Sequence, residues 1–132
     1  MTHDLSAEAS LIVQTVDTAR CIALAPTDDF PEVFATSRMI ALMEVAAARA
    51  MRPLLGEGQH SVGVGLNVKH CAATPVGSQV RAVARWLRNE GRLMHFDVQA
   101  FDEAGLIGEG EHTRAIVDTA RLLTGAEKRR AR

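Results

Sequence analysis

Across the C-terminal half of the chain apolar and polar residues alternate, a period of two that sends successive side chains to opposite faces of a strand. Val62, Val64, Leu66 and Val68 form one such run, and Val80, Ala82, Ala84 and Trp86 a second. Met94, Phe96, Val98 and Ala100 make a third, with polar His95, Asp97 and Gln99 between them. The fourth is LIGEGEHTRAIVD, residues 106–118, whose Gly108 and Gly110 share a parity suited to a strand face with a helix backbone packed close against it. The connections Asn89-Glu90-Gly91 and Asp102-Glu103-Ala104-Gly105 are too short for a crossover helix, so these neighbours are predicted to pair antiparallel.

The pattern changes before residue 60. Residues 37–55, SRMIALMEVAAARAMRPLL, are dominated by Ala, Met, Leu and Arg, all strong helix formers, and predict a helix that ends at Pro53 and Gly56. At about 100° per residue, Met39, Met43, Ala46, Ala47, Ala50 and Leu54 share one face, whereas Leu42 and Val45 fall opposite. A helix so apolar all round is expected to be largely buried. Upstream, LIVQTVDTARCIAL, residues 11–24, reads as a strand, and APTDDFPEVFAT, with two prolines and two aspartates, as a loop and candidate lid. The expected class is α+β: one long helix against a curled antiparallel sheet, in a single domain over residues 1–132. Residues 119–132 form a basic tail in which Arg121, Lys128, Arg129, Arg130 and Arg132 are read as a solvated end, the alternative being a grip on phosphate.

Composition narrows the function classes. The chain has 132 residues, enough for one self-sufficient core, with 47% apolar and 23% charged residues. A formal net charge of −1 offers no general field for nucleic acid or an anionic membrane. Cys21 and Cys71 are read as reduced thiols. The acids of MTHDLSAEAS and the lack of an apolar run near ~18 residues predict a cytoplasmic chain. His60, His95 and His112 are dispersed and of mixed parity, so no metal site is expected.

Several residues carry possible chemistry. Leu66, Val68 and His70 share a parity, which turns the His70 ring toward the apolar face at a strand end before a Thr-Pro-Val-Gly turn that solvent reaches. A satisfied core histidine is one reading; proton transfer near neutral pH is the other. Glu44 lies about 90° from the centre of the helix's apolar face, away from Arg38, Arg49 and Arg52, so it requires a partner to offset desolvation. Thr36 is placed as an ordinary N-cap, and the same helix start would favour an oxyanion; Ser37 competes for both jobs. Arg114 shares its parity with Gly108, Gly110 and His112, pointing a guanidinium at the helix side, where Glu44 or a substrate group would meet it.

FATSRMIALMEVAAARAMRPLL, SVGVGLNVKHCAATPVGSQV and LIGEGEHTRAIVD, in that order, resemble hotdog-fold acyl-CoA thioesterases, specifically the fluoroacetyl-CoA thioesterase-like branch, over roughly residues 10–118. The resemblance implies the hotdog fold and hydrolysis of a small acyl-CoA thioester, without a cofactor beyond the CoA of the substrate. It places the catalytic threonine on Thr36, the acid on Glu44 and the histidine on His70, with Gly63 lining the thioester end, Arg114 shaping the pocket and Phe30 gating it. It leaves open whether Thr36 or a water attacks. It also implies a homodimer with each site between two protomers. Two alternatives remain. A hotdog hydratase or dehydratase resembles proteins with an Asp-x₄-His pair or a His-Phe-Pro string, but Gly65 stands five before His70 and Cys71-Ala72 follows it. A non-catalytic acyl-CoA-binding module is the other.

Overall fold

A computed structural model describes residues 5–130; residues 1–4 and 131–132, with Arg132 of the basic tail, lie outside the described residues. Strand β1 (Ser6–Ile12) is followed by two 3-10 turns, helix α1 (Thr36–Met51), a third 3-10 turn (Arg52–Leu54), strands β2 (Gln59–His70), β3 (Gln79–Glu90), β4 (Leu93–Asp102) and β5 (Gly105–Asp118), and helix α2 (Thr119–Arg130). All strand pairs are antiparallel, in the order β1-β3-β4-β5-β2. The four alternating runs are therefore strands, the short connections join antiparallel neighbours as predicted, and the helix-on-curled-sheet arrangement is the hotdog fold.

Two expectations need correction at the N-terminal end. The strand predicted over 11–24 stops at Ile12, because Asp17 and Thr18 hydrogen-bond their own backbone: the Gln14 N–H donates to the Asp17 carboxylate at 2.9 Å and the Thr18 hydroxyl to the Thr15 carbonyl at 2.7 Å. Such local bonds compete with a ladder, and the chain turns as 3-10 helix over Thr15–Asp17 and Ala19–Ile22. The helix is also not buried all round. Leu42 is buried at 6% exposure, and Val45 is 42% exposed in the middle of an open stripe; Leu54, beyond the last α-helical turn, is 43% exposed.

The core lies where α1 crosses β1 and β3. Met39, Met43, Ala46, Ala47 and Met51 meet Val80, Ala82, Ala84, Phe96, Val98 and Ala100, all fully buried. Alanines on both surfaces let helix and sheet approach closely, while each buried methionine contributes about 1.5–3 kcal/mol of apolar burial. Gly108 faces α1, but a Cβ there would strike the Met39 side chain and the Lys69 carbonyl of β2, where the expectation was a helix backbone. Gly110 differs: its missing Cβ would meet the Asn67 carbonyl and Val68 of β2, so this glycine serves the tight curl of the sheet rather than a helix contact. The curl is reinforced by a register slip between Gly63 and Gly65. The basic segment expected to be a simple tail is helical over Thr119–Arg130, and helix α2 has no buried residue.

Candidate active site

The first turn of α1 is held by a buried aspartate that sequence reasoning missed. Asp17 takes the Arg38 guanidinium at 2.7 and 3.1 Å, and its carbonyl accepts the Ala35 N–H at 2.9 Å. Burial alone raises the Asp17 pKa, but the Gln14 N–H and Arg38 outweigh it and hold the carboxyl below its ordinary value. The signal available in the sequence was a lone acid inside the apolar stretch VQTVDTARCIAL.

Ala35, not Thr36, occupies the N-cap, and Thr36 is the first helical residue. Its hydroxyl is thus free of capping duty, and instead lies 2.7 Å from His70 Nδ1. His70 reaches this point from the last position of β2, paired with Gly108. Burial pushes its pKa below the usual imidazole value, with the Ala72 backbone opposing. The other ring nitrogen, Nε2, is buried without a hydrogen-bond partner among the described residues. A cleft of about 330 Å³ opens on the pair, lined by Ala19, Pro31, Val33, Phe34, Cys71 and Ala72 along with Thr36 and His70. That is enough for a small acyl group. Phe30, on the loop beside the cleft, is 42% exposed, and the aromatic wall of the cleft is the buried Phe34. Ser37 is exposed in the same turn.

A larger depression, about 650 Å³, lies on the opposite face of the sheet among Asp97, Glu109 and Glu111. Three carboxylates there disfavour a polyphosphate ligand.

The remaining candidates form a second cluster. Arg114, 6% exposed on β5, donates from Nε to the Ser61 hydroxyl at 3.2 Å, from Nη2 to the Ser61 carbonyl at 3.0 Å, and from Nη1 to His112 Nε2 at 3.0 Å and Glu44 Oε2 at 3.4 Å. Burial lowers the Arg114 pKa, and Glu44 opposes. Gly63, paired with Arg114, leaves room for the cluster: a Cβ there would lie 2.6 Å from Glu44 Oε2 and 3.3 Å from His112 Cε1, so the Glu44 carboxylate would have to move aside.

Within one protomer, then, Thr36 and His70 meet, and Glu44, Gly63 and Arg114 meet, but the two groups stand apart. Gly63 and His70 are seven residues apart on β2, on the order of 20 Å at about 3.3 Å per residue. Thr36 and Glu44 are separated along α1 by about 12 Å.

Comparison with known proteins adds a family. The profile of fluoroacetyl-CoA-specific thioesterase (FlK) matches residues 13–120. A fluoroacetyl-CoA thioesterase of Streptantibioticus cattleyicolor is 46% identical over 89 residues; the aligned part spans 67% of this chain and 64% of that protein, a little under two thirds of its length. A crystal structure of the fluoroacetyl-CoA thioesterase FlK superposes with a TM-score of 0.90 at 35% identity, covering 97% of this chain and 96% of that one. A variant of FlK in complex with fluoroacetate and CoA superposes with a TM-score of 0.85 at 36% identity, covering 92% and 99%.

Proposed function

We propose that this chain, which belongs to the fluoroacetyl-CoA-specific thioesterase family, hydrolyses a small acyl-CoA thioester to the free acid and CoA. The observation that carries the reading is the Thr36–His70 pair at 2.7 Å on the floor of an open cleft. A hydroxyl donating to Nδ1 leaves the ring proton on Nε2, the nitrogen that lacks an acceptor in the single chain. In the proposed reaction Nδ1 accepts a proton from the Thr36 hydroxyl or from a water. The oxygen adds to the thioester carbonyl, the C–S bond breaks, and the imidazolium returns its proton to the departing thiolate; an acyl-threonine, if formed, is then hydrolysed by the same base. The α1 N-terminus, with the Thr36 and Ser37 N–H groups, favours the oxyanion.

The missing acceptor is supplied by a second copy. β2 is an edge strand, with Val64 55% and Leu66 41% exposed. Antiparallel pairing of two β2 strands about Asn67, with the bulge between Gly63 and Gly65 taking up one residue, sets His70 opposite Gly63 of the partner subunit, and so brings Glu44 of the partner subunit to His70 Nε2 and Arg114 of the partner subunit to the acyl end. Phe30 gates the cleft in this reading. No cofactor is required, and the location is cytoplasmic; no helix among the described residues is long and apolar enough to cross a membrane.

Thiol release from a panel of acyl-CoAs tests the activity, with tight binding and no release arguing for a binding module, and hydration of enoyl-CoA without release for a hydratase. Mixing two inactive variants tests the shared site. His70→Ala and Glu44→Ala chains, unfolded together and refolded, should regain about a quarter of wild-type activity, because half the dimers are mixed and one of their two sites is intact. No recovery would place all three groups of a working site in one chain.

A further inference from the structure

The proposed hydrolysis makes no use of one deeply buried titratable side chain, His112, 2% exposed at the centre of β5. Its tautomer follows from its partners. Arginine has donors only, so Arg114 Nη1, 3.0 Å from His112 Nε2, must donate to it; the ring proton therefore sits on Nδ1 and is given to the Gly65 carbonyl at 2.9 Å. Gly65 is where β2 slips register against β5. One neutral imidazole thus ties the guanidinium to the bulge in the neighbouring strand. Ser61 holds the guanidinium from the other side, and the contact to Glu44, at 3.4 Å, is the longest of the set. Glu44, His112 and Arg114 all converge on the space that a Gly63 side chain would fill. The groups facing the ring are Arg114 from its own strand, Glu44 from α1, the Gly65 carbonyl from β2, and the apolar neighbours Leu66 and Phe96.

We propose that His112 is a positioning residue that sets acyl selectivity without touching substrate, by holding the Arg114 guanidinium and the Gly63–Gly65 backbone in the register that presents Arg114 to the acyl end. The proposal rests on the thioesterase reading and adds to it a residue that the motif did not single out. Burial and Arg114 both disfavour a second proton on the ring, which keeps Nε2 an acceptor.

Steady-state kinetics on acetyl-CoA and butyryl-CoA, with thermal unfolding, tests it. His112→Phe keeps the ring volume and removes both bonds; kcat/KM should fall about tenfold to hundredfold, with the ratio between the two substrates altered. His112→Gln, whose amide oxygen still accepts from Arg114, should restore most of the loss, and His112→Asn, too short to reach, should not. In an Arg114→Ala background, His112→Phe should cost nothing further. Additive losses in the double variant, or an unchanged substrate ratio in both His112→Phe and His112→Asn, would overturn the proposal. Should His112→Phe fail to fold, the Gln and Asn pair decides alone. Nitrogen-15 spectra of the imidazoles give a readout independent of turnover: His112 should appear neutral with the proton on Nδ1, and its Nε2 signal should move in Arg114→Ala. A proton on Nε2 would refute the assignment. Wild-type protein that releases no thiol from any acyl-CoA would sink the hydrolytic reading and the selectivity role with it, leaving the tautomer to be judged by the spectra.

Discussion

The same two elements, α1 and β2, carry two polar clusters of opposite character. At the start of α1, Thr36 and His70 share one hydrogen bond, one is exposed to the cleft, and a ring nitrogen has no partner among the described residues. Two turns along, Arg114 donates to four acceptors on three elements and is almost wholly buried. A group whose bonds are all met in the resting protein is a fixed support, because any change costs an existing contact. A group with unmet capacity can strengthen its bonds as charge develops on a reacting molecule, which is the condition for lowering a barrier. The division assigns proton transfer to the open pair, and to the closed cluster the fixed presentation of Glu44 and Arg114 to the site proposed across the dimer.

The largest expected effect strikes the open pair. His70→Ala should reduce thiol release by about 10²–10⁴-fold, the usual span for a lost general base, while shifting the unfolding midpoint little, since the ring is only partly buried. An alanine variant that still turned over within tenfold of wild type would dissolve the contrast. The closed cluster should respond in stability. Gly63→Ala drives a Cβ to within 2.6 Å of Glu44 Oε2, the end of a half-exposed side chain that can swing off Arg114, and should cost about 1 kcal/mol by denaturant titration, whereas Gly65→Ala, two residues on, meets only Thr113 at 3.8 Å and should cost less. Equal costs at the two glycines would mean that the cluster yields easily and is not a fixed support.

The contrast also governs what was legible in the sequence. The strands were readable because their alternation is forced by burial of one face, and His70 and Arg114 were placed on inner faces by parity alone. Thr36 was harder, since an N-cap and a reactive hydroxyl call for the same residue type in the same place; only the shift of the cap to Ala35 separates them. Asp17 and His112 show no pattern of their own in the sequence because each has a partner far along the chain: Arg38 on α1 for Asp17, and the Gly65 carbonyl, at the bulge of β2, for His112. The 3-10 turns after Ile12 were missed for a related reason: side-chain bonds from Asp17 and Thr18 override an apolar pattern that favours a strand. Leu42 is buried because three residues of helix turn it only about 60° from Met39, at the edge of the apolar face, so Val45 alone falls on the open side.

A smaller effect probes what holds the open pair in place. Arg38→Ala removes the partner of buried Asp17 beneath the first turn of α1. Arg38 is nearly half exposed, so solvent screening limits the loss to about 1 kcal/mol, read as a modest drop in denaturant midpoint. Activity should fall more than stability, since the Thr36 hydroxyl rides on that turn. A stability loss with unchanged kcat/KM would show that Asp17 is only a brace.

The smallest expected effect is the dependence of stability on pH, and it separates the clusters once more. His70 and His112 both have folded-state pKa values below 6.5, chiefly through burial. A depressed imidazole pKa means that the unfolded chain takes up protons first as the solution is acidified, so unfolding becomes easier as pH falls. The contribution is complete above about pH 6.5 and is lost as pH drops through the folded values, with a slope below about 1.4 kcal/mol per pH unit for each group. Asp17, also depressed but from 3.8, adds its loss only in stronger acid. The thermal midpoint should therefore decline in two stages, the first starting near pH 6.5. His112 is the more deeply buried ring and faces a fixed cation, so His112→Gln should flatten the first stage more than His70→Ala does. The reverse order, with His70→Ala removing most of the slope, would mean that the closed cluster tolerates a charged imidazole and that the rigid support lies elsewhere.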